Sequence, residues 1–217
     1  MFALPSSAVV DRPLVKERFY AGVRHTRRIK RLMTDQVHRI TWSHKLAPDT
    51  INVPASSTVP EIEVIRIDAR VAQLDAAVFG SIDRAIPNPT VHVVRFDDRV
   101  RWVAAPKRPR QTDDAVAVIG DYLHGPWQPS NHEPPPLPTA IDLGNLYTSL
   151  LRSLMDLPAR DGETLSDHVD RHAAVKTARR DAAKIERKIR SERQFNRRAE
   201  WNARLREVNE TIQRLTR

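Results

Sequence analysis

Cysteine is absent from the 217 residues, which excludes disulfides, thiolate metal centres, iron–sulfur ligation and a cysteine nucleophile. Glycine is scarce at six residues, and neither a dinucleotide fingerprint nor a phosphate loop nor a Gly-x-Ser-x-Gly elbow occurs. Nucleotide hydrolase and serine hydrolase therefore have no motif to rest on. Aromatic residues make up only 6% of the chain, and no run of 18 apolar residues exists that could span a bilayer. Met1 to Val10 carries no basic region ahead of its few apolar residues, so a secretory signal is not expected and a cytoplasmic setting is.

What is abundant is positive charge. Lys and Arg number 36 against 27 Asp and Glu, a formal net charge of +9. Residues 11–39 carry about +6, residues 40–160 about −2 and residues 161–217 about +5. The excess thus belongs to two ends that flank an ordinary middle, a distribution that favours a polyanionic partner. In the first basic segment, Arg24, Arg27, Arg28, Lys30 and Arg31 crowd into two helical turns. In the second, Arg190, Arg193, Arg197 and Arg198 surround Phe195.

Periodicity sketches the organisation. Asp11 as N-cap with Pro13 in the first turn predicts a helix over Asp11–Thr34. His38, Ile40, Trp42, His44 and Leu46 alternate with polar residues, predicting a strand whose one face holds both histidines and the tryptophan. A second strand over Glu61–Val71, a helix over Gln73–Ile86 and a hairpin of Val91–Phe96 with Val100–Ala105 follow. Asp114–His124 reads as a further strand of that meander. Six prolines between residues 126 and 138 suggest a stiff linker, and Thr139–Asp156 has a wide apolar stripe at helical spacing. The expected plan is an α+β fold: a mainly antiparallel sheet of about five strands in 1–125, the linker 126–138, a packing helix in 139–160 and a charged helical arm in 161–217. Within the arm, Ala178, Ala182, Ile185 and Ile189 form one seam, and Trp201, Leu205, Val208, Ile212 and Leu215 another. They are out of phase, so the helix must stutter, bend or break between Ser191 and Arg198. A helical hairpin and a coiled-coil partner both satisfy this pattern.

Ile40-Thr41-Trp42-Ser43-His44-Lys45-Leu46-Ala47-Pro48-Asp49-Thr50-Ile51-Asn52-Val53 resembles the signature of a prokaryotic family known as domain-of-unknown-function family 4391. Ala85-Ile86-Pro87-Asn88-Pro89, the Leu-rich stretch after the prolines and Gln194-Phe195-Asn196 agree in order. The residues that carry the resemblance are Trp42, Lys45, Leu46, Pro48, Thr50, Asn52, Pro87, Phe195 and Asn196. It implies no catalytic residue, cofactor or metal. It does imply a genomic setting beside helicases and DNA methyltransferases in restriction-like or phage-defence clusters.

Candidate chemistry is thin. A restriction-type nuclease needs acidic ligands on neighbouring strands with a nearby lysine. Glu61, Glu63, Asp68, Asp97 and Asp98 supply carboxylates, with Asp68, Asp97 and Asp98 the first suspects, yet none is followed two residues later by Lys. Strand-edge and turn carboxylates are the plainer explanation. His168 and His172 have metal-ligand spacing on a helix but lack the accompanying glutamate of a zinc protease. The expectation is therefore a non-catalytic accessory protein of DNA processing. It would bind nucleic acid through the basic helices, DNA before RNA, and would dock a helicase or methyltransferase subunit, or a second copy of itself, through the arm. A metal-dependent nuclease and an RNA-binding factor are the alternatives.

Overall fold

Residues 2–20, 26–109, 116–118 and 121–217 are described in the computed structural model. They divide into two compact units, residues 1–155 and 156–217.

The first unit is built on a mixed sheet. Strand β1 (Val9–Leu14) pairs antiparallel with β2 (Val37–Leu46), which pairs antiparallel with β3 (Ile62–Ala69). Helix α3 (Ala76–Ala85) then carries the chain across so that β4 (Thr90–Phe96) lies parallel to β3, and β5 (Arg99–Ala104) returns antiparallel as a hairpin. Short strands β8 (Leu123–His124) and β9 (Gln128–Pro129) both pair with β5, completing a seven-stranded sheet in the order β1-β2-β3-β4-β5 followed by β8 and β9 together on β5. A separate ladder joins β6 (Lys107–Pro109) to β7 (Val116–Val118). The α+β class stands; a mainly antiparallel sheet of about five strands was expected, and the sheet is mixed, with β3–β4 parallel and its other pairings antiparallel. A connection through a ten-residue helix is what a parallel pair requires.

Three local expectations change. Asp11–Leu14 is edge strand and not helix, and Pro13 is tolerated there because an edge strand need not donate every N–H. The helix begins later, as α1 (Thr26–Gln36), with Ile29 and Met33 turned inward. The expected third strand of the meander is split, since Val116–Val118 joins β6 and Leu123–His124 joins β5, with 114–115 and 119–120 outside the described residues. The strand at 37–46 is real, but its alternation breaks. Trp42 pairs with Ile65 and His44 with Val64, so Ser43 is an extra residue in a bulge. Trp42 and His44 therefore lie on opposite faces, not together, and Lys45, opposite Glu63, returns to the Trp42 face.

On that face the core gathers Phe19, Met33, Ile40, Ile65, Ile67, Val78, Phe79, Ile82 and Val94 under α1 and α3. Helix α4 (Leu143–Ser153) follows the proline-rich segment, with Asp142 accepting from the Asn145 N–H as its N-cap, and buries Leu143, Leu146, Leu150 and Leu151. The proline-rich segment itself belongs to the first unit: the Ala3 N–H donates to Pro135 O, and Ser130 N–H to Asp98 O. The second unit is a helical hairpin, α5 (Leu165–Ser191) and α6 (Phe195–Thr216), broken at residues 192–194 where the two apolar seams fall out of phase. Among the described residues no helix is long and apolar enough to cross a membrane.

Candidate functional site

Two of the segments that carry the family resemblance meet at one end of the first unit. Beyond the Ser43 bulge, Leu46 is fully buried and β2 ends in the one-turn helix α2 (Pro48–Ile51). Pro48 opens α2, where its missing N–H costs nothing. Thr50 Oγ1 accepts from the Ala47 N–H at 2.9 Å and donates to Lys45 O at 2.7 Å, and Asn52 closes the turn in the left-handed region at φ 54°. These residues fix the end of β2, and with it Lys45. Lys45 Nζ meets Glu61 Oε2 at 3.0 Å. From across the sheet, Asn88 Nδ2 donates to Glu61 and, at 3.3 Å, to Glu63 Oε1.

Glu63 lies beneath this group, only 6% exposed, flanked in its strand by Ile62, Val64 and Ile65. It lines a cavity of about 170 Å³ together with Arg18, Phe19, Trp42, Ile65, Ile86, Pro87 and Asn88. Burial pushes its carboxyl up to about 7; the neighbouring Glu61 adds to the rise, while hydrogen bonding from Asn88 and Trp42 opposes it. Glu63 Oε2 and the Trp42 indole N–H are buried without a well-directed hydrogen bond. Neither Glu63's burial nor its neighbours were legible in the sequence, although a carboxylate between Ile62 and Val64-Ile65 is a usable signal.

Behind the cavity wall lies a second buried group. Asp83 of α3 meets Lys107 Nζ at 2.9 Å and His92 Nε2 at 3.3 Å, and accepts from Tyr122 OH. Lys107 also donates to Ile86 O at 3.0 Å, Asn88 O at 2.8 Å and Thr90 Oγ1 at 2.8 Å. Burial alone would raise the Asp83 pKa, but His92, Lys107 and Tyr122 outweigh it and hold the carboxyl below the usual range. Burial lowers the Lys107 pKa against the pull of Asp83, and raises that of Tyr122. Asp83, Lys107 and Tyr122 are all hydrogen-bonded or ion-paired here, while His92 approaches Asp83 without a well-directed hydrogen bond; the network caps the end of α3 and holds Ile86 and Asn88 where they line the cavity.

The predicted basic residues fall in two places. Arg27, Arg28, Lys30 and Arg31 are exposed on α1, and Arg24 lies outside the described residues. Arg28 is partnered by Asp75 at 3.2 Å and Arg31 by Asp35 at 3.8 Å. The other cluster occupies the tip of the helical hairpin. Arg190, Arg193, Arg197 and Arg198 are exposed with Asn196, and Phe195 stands 83% exposed among them, not packed into the bend. Arg187 and Lys188 extend the cluster, and Lys188 Nζ sits 4.3 Å from the Trp201 ring centroid. Arg190 approaches Glu186 at 4.0 Å, while Arg193, Arg197 and Arg198 form no ion pair among the described residues.

The histidine pair on α5 serves structure. His168 is buried and donates to Leu157 O at 2.7 Å, and His172 meets Asp156 at 3.0 Å. The nuclease suspects do not assemble: Asp68 lies in β3 beside Arg95 of β4, and Asp97 and Asp98 form the β4–β5 turn. Among the described residues, no three His, Asp or Glu side chains are placed to share a metal ion.

Comparison with protein-family models matches residues 2–212 to one described as a domain of unknown function (DUF4391). Comparisons with curated proteins and with solved structures give no match.

Proposed function

The chain belongs to this family of unknown function, DUF4391, and from its own residues we propose that it is a nucleic-acid-binding accessory protein of DNA processing whose contact surface is the tip of the helical hairpin. The observation that carries this is Phe195, 83% exposed at the apex and surrounded by Arg187, Lys188, Arg190, Arg193, Arg197 and Arg198. An exposed phenylalanine costs solubility and adds nothing to the hairpin's packing. Set among cations, it supports stacking on an unpaired base while the guanidinium groups meet phosphates. That combination favours single-stranded over duplex nucleic acid. Half of the α1 cations already have carboxylate partners, so α1 is the weaker surface. The partner expected on the arm, a helicase or methyltransferase subunit, would engage the outer faces of α5 and α6.

Fluorescence anisotropy across a salt series with labelled single-stranded DNA, duplex DNA and RNA tests the proposal. Single-stranded DNA should bind with a log–log salt slope of about −2 to −3, since three or four neutralised phosphates contribute about −0.7 each. Changing Arg193, Arg197 and Arg198 to Ala should flatten that slope. Phe195→Ala should weaken binding by about 1–3 kcal/mol at every salt concentration and leave the slope alone. Binding that ignores both variants, or no binding, overturns the proposal.

A further inference from the structure

The cavity at the end of the first unit has the dimensions and lining of a ligand site. Its volume of about 170 Å³ is close to that of cavities that accept one six-membered ring, roughly 150 Å³ for benzene. The walls are largely apolar, from Leu14, Phe19, Ile65, Ala85 and Ile86, and the polar lining comes from Glu63, Trp42 and Asn88 with Arg18. Glu63 is more than nine-tenths buried, one of its oxygens is held by Asn88 at 3.3 Å, and the other, beside Glu61 and the Trp42 indole, has no well-directed hydrogen bond. A buried carboxyl with an unsatisfied oxygen in an apolar cavity is costly without a ligand and useful with one.

We propose that this cavity binds a planar six-membered heterocycle presenting a hydrogen-bond donor beside an acceptor on one edge, the pattern of a pyrimidine base. A protonated carboxyl offers one acceptor and one donor side by side, so it pairs with such an edge through two bonds. The Trp42 indole N–H supplies a further donor beside it. The charges around Glu63 suit a neutral ring better than a cation: Lys45 already neutralises Glu61 at 3.0 Å, Arg18 lines the cavity, and Lys107 adds positive charge from behind. Glu61 is a further carboxylate beside Glu63, with Asp49 facing Lys45 and Asp83 held by Lys107, and the repulsion of Glu61 favours the protonated form of Glu63.

The proposal stands apart from the hairpin tip, because its probes are free bases and not a nucleic acid. Ligand-observed NMR and calorimetry would use the full chain with cytosine and uracil, with toluene as a shape-only control and benzamidine as a cationic one. Cytosine or uracil should bind at one site, more weakly as pH rises from 6 to 8. Glu63→Leu should cost about tenfold or more in affinity. Glu63→Gln, which keeps a donor beside an acceptor, should retain binding within about threefold and remove the pH dependence. If Glu63→Leu fails to fold, the Gln variant and the pH series decide. No binding of either base, binding of toluene as tight as that of the bases, or preferred binding of benzamidine strengthening with pH would each overturn the proposal.

Discussion

Replacing Lys107 by Met removes the cation from the group that fastens α3 to the sheet. The ammonium is 1% exposed and meets Asp83 at 2.9 Å, Ile86 O at 3.0 Å, Asn88 O at 2.8 Å and Thr90 Oγ1 at 2.8 Å. Breaking a buried pair typically costs about 3–5 kcal/mol, because the surviving charge stays buried. Here Asp83 keeps His92 at 3.3 Å and the Tyr122 hydroxyl, which places that part near the lower limit. Two carbonyls lose a charged donor, worth about 1 kcal/mol each, so the expected loss is about 4–5 kcal/mol. At about 2–4 °C per kcal/mol for a unit of this size, Tm should fall by about 8–20 °C. Fluorescence-detected urea and thermal unfolding in a Trp201→Phe background would read residues 1–155 through Trp42, Trp102 and Trp127. Asp83→Asn combined with Lys107→Met should cost at least about 1 kcal/mol less than the two single changes added together. A Lys107→Met loss under about 1 kcal/mol, or strict additivity, would refute the reasoning.

Other outcomes follow from the same geometry. The Glu63 carboxyl is raised to about 7 from the ordinary glutamate value of 4.5, so the folded state holds its proton longer than the unfolded one; stability should fall as pH rises from about 4.5 through 7, and Glu63→Gln should therefore stabilise at pH 8, by on the order of 1–3 kcal/mol, and little at pH 4.5, as checked by Tm against pH. In the hairpin, Arg171 bonds both Glu163 oxygens, at 2.6 and 2.7 Å, and donates to Pro158 O and Leu215 O, and it holds the Glu163 carboxyl at about 2. That stabilisation is complete above about 4.5 and lost as pH falls towards 2, so Trp201 fluorescence should report a loosening over this range that Arg171→Met abolishes by loosening the hairpin at every pH. Thr50→Val should loosen the end of β2 and cost about 1 kcal/mol, since the Ala47 N–H and Lys45 O both lose a partner; a Tm unchanged within 1 °C would count against that role.

How much of this could be read beforehand depended on whether the signal was local. The β4–β5 hairpin, α4 and the break in the arm all came from short-range periodicity, and the phase slip between the two seams located the interruption within a few residues. Asp11–Leu14 misled because its strand state is conferred by pairing with β2, a tertiary fact that outweighs an N-cap and a well-placed proline. The parallel pair was available in principle: strand, ten-residue helix, strand is the pattern of a crossover, and treating the strands as consecutive hairpins hid it. The Lys107–Asp83 and Glu63–Asn88 contacts join residues 24 and 25 positions apart and leave no local trace. Phe195 was visible as a residue, yet only the structure showed it unpacked.

The extra residue at Ser43 shifts the reading frame of β2 between Trp42 and His44, as another register shift between Val37 and Arg39 does at the strand's start. Before Ser43, even positions such as Ile40 and Trp42 address the helices; after it, the odd position Lys45 does. Substitution rules inferred from one half of the strand are inverted in the other, so a polar change at residue 44 is a change to the opposite surface from one at residue 42. Deleting Ser43 would restore a regular strand and carry Lys45 away from Glu61 without altering any residue at the site itself.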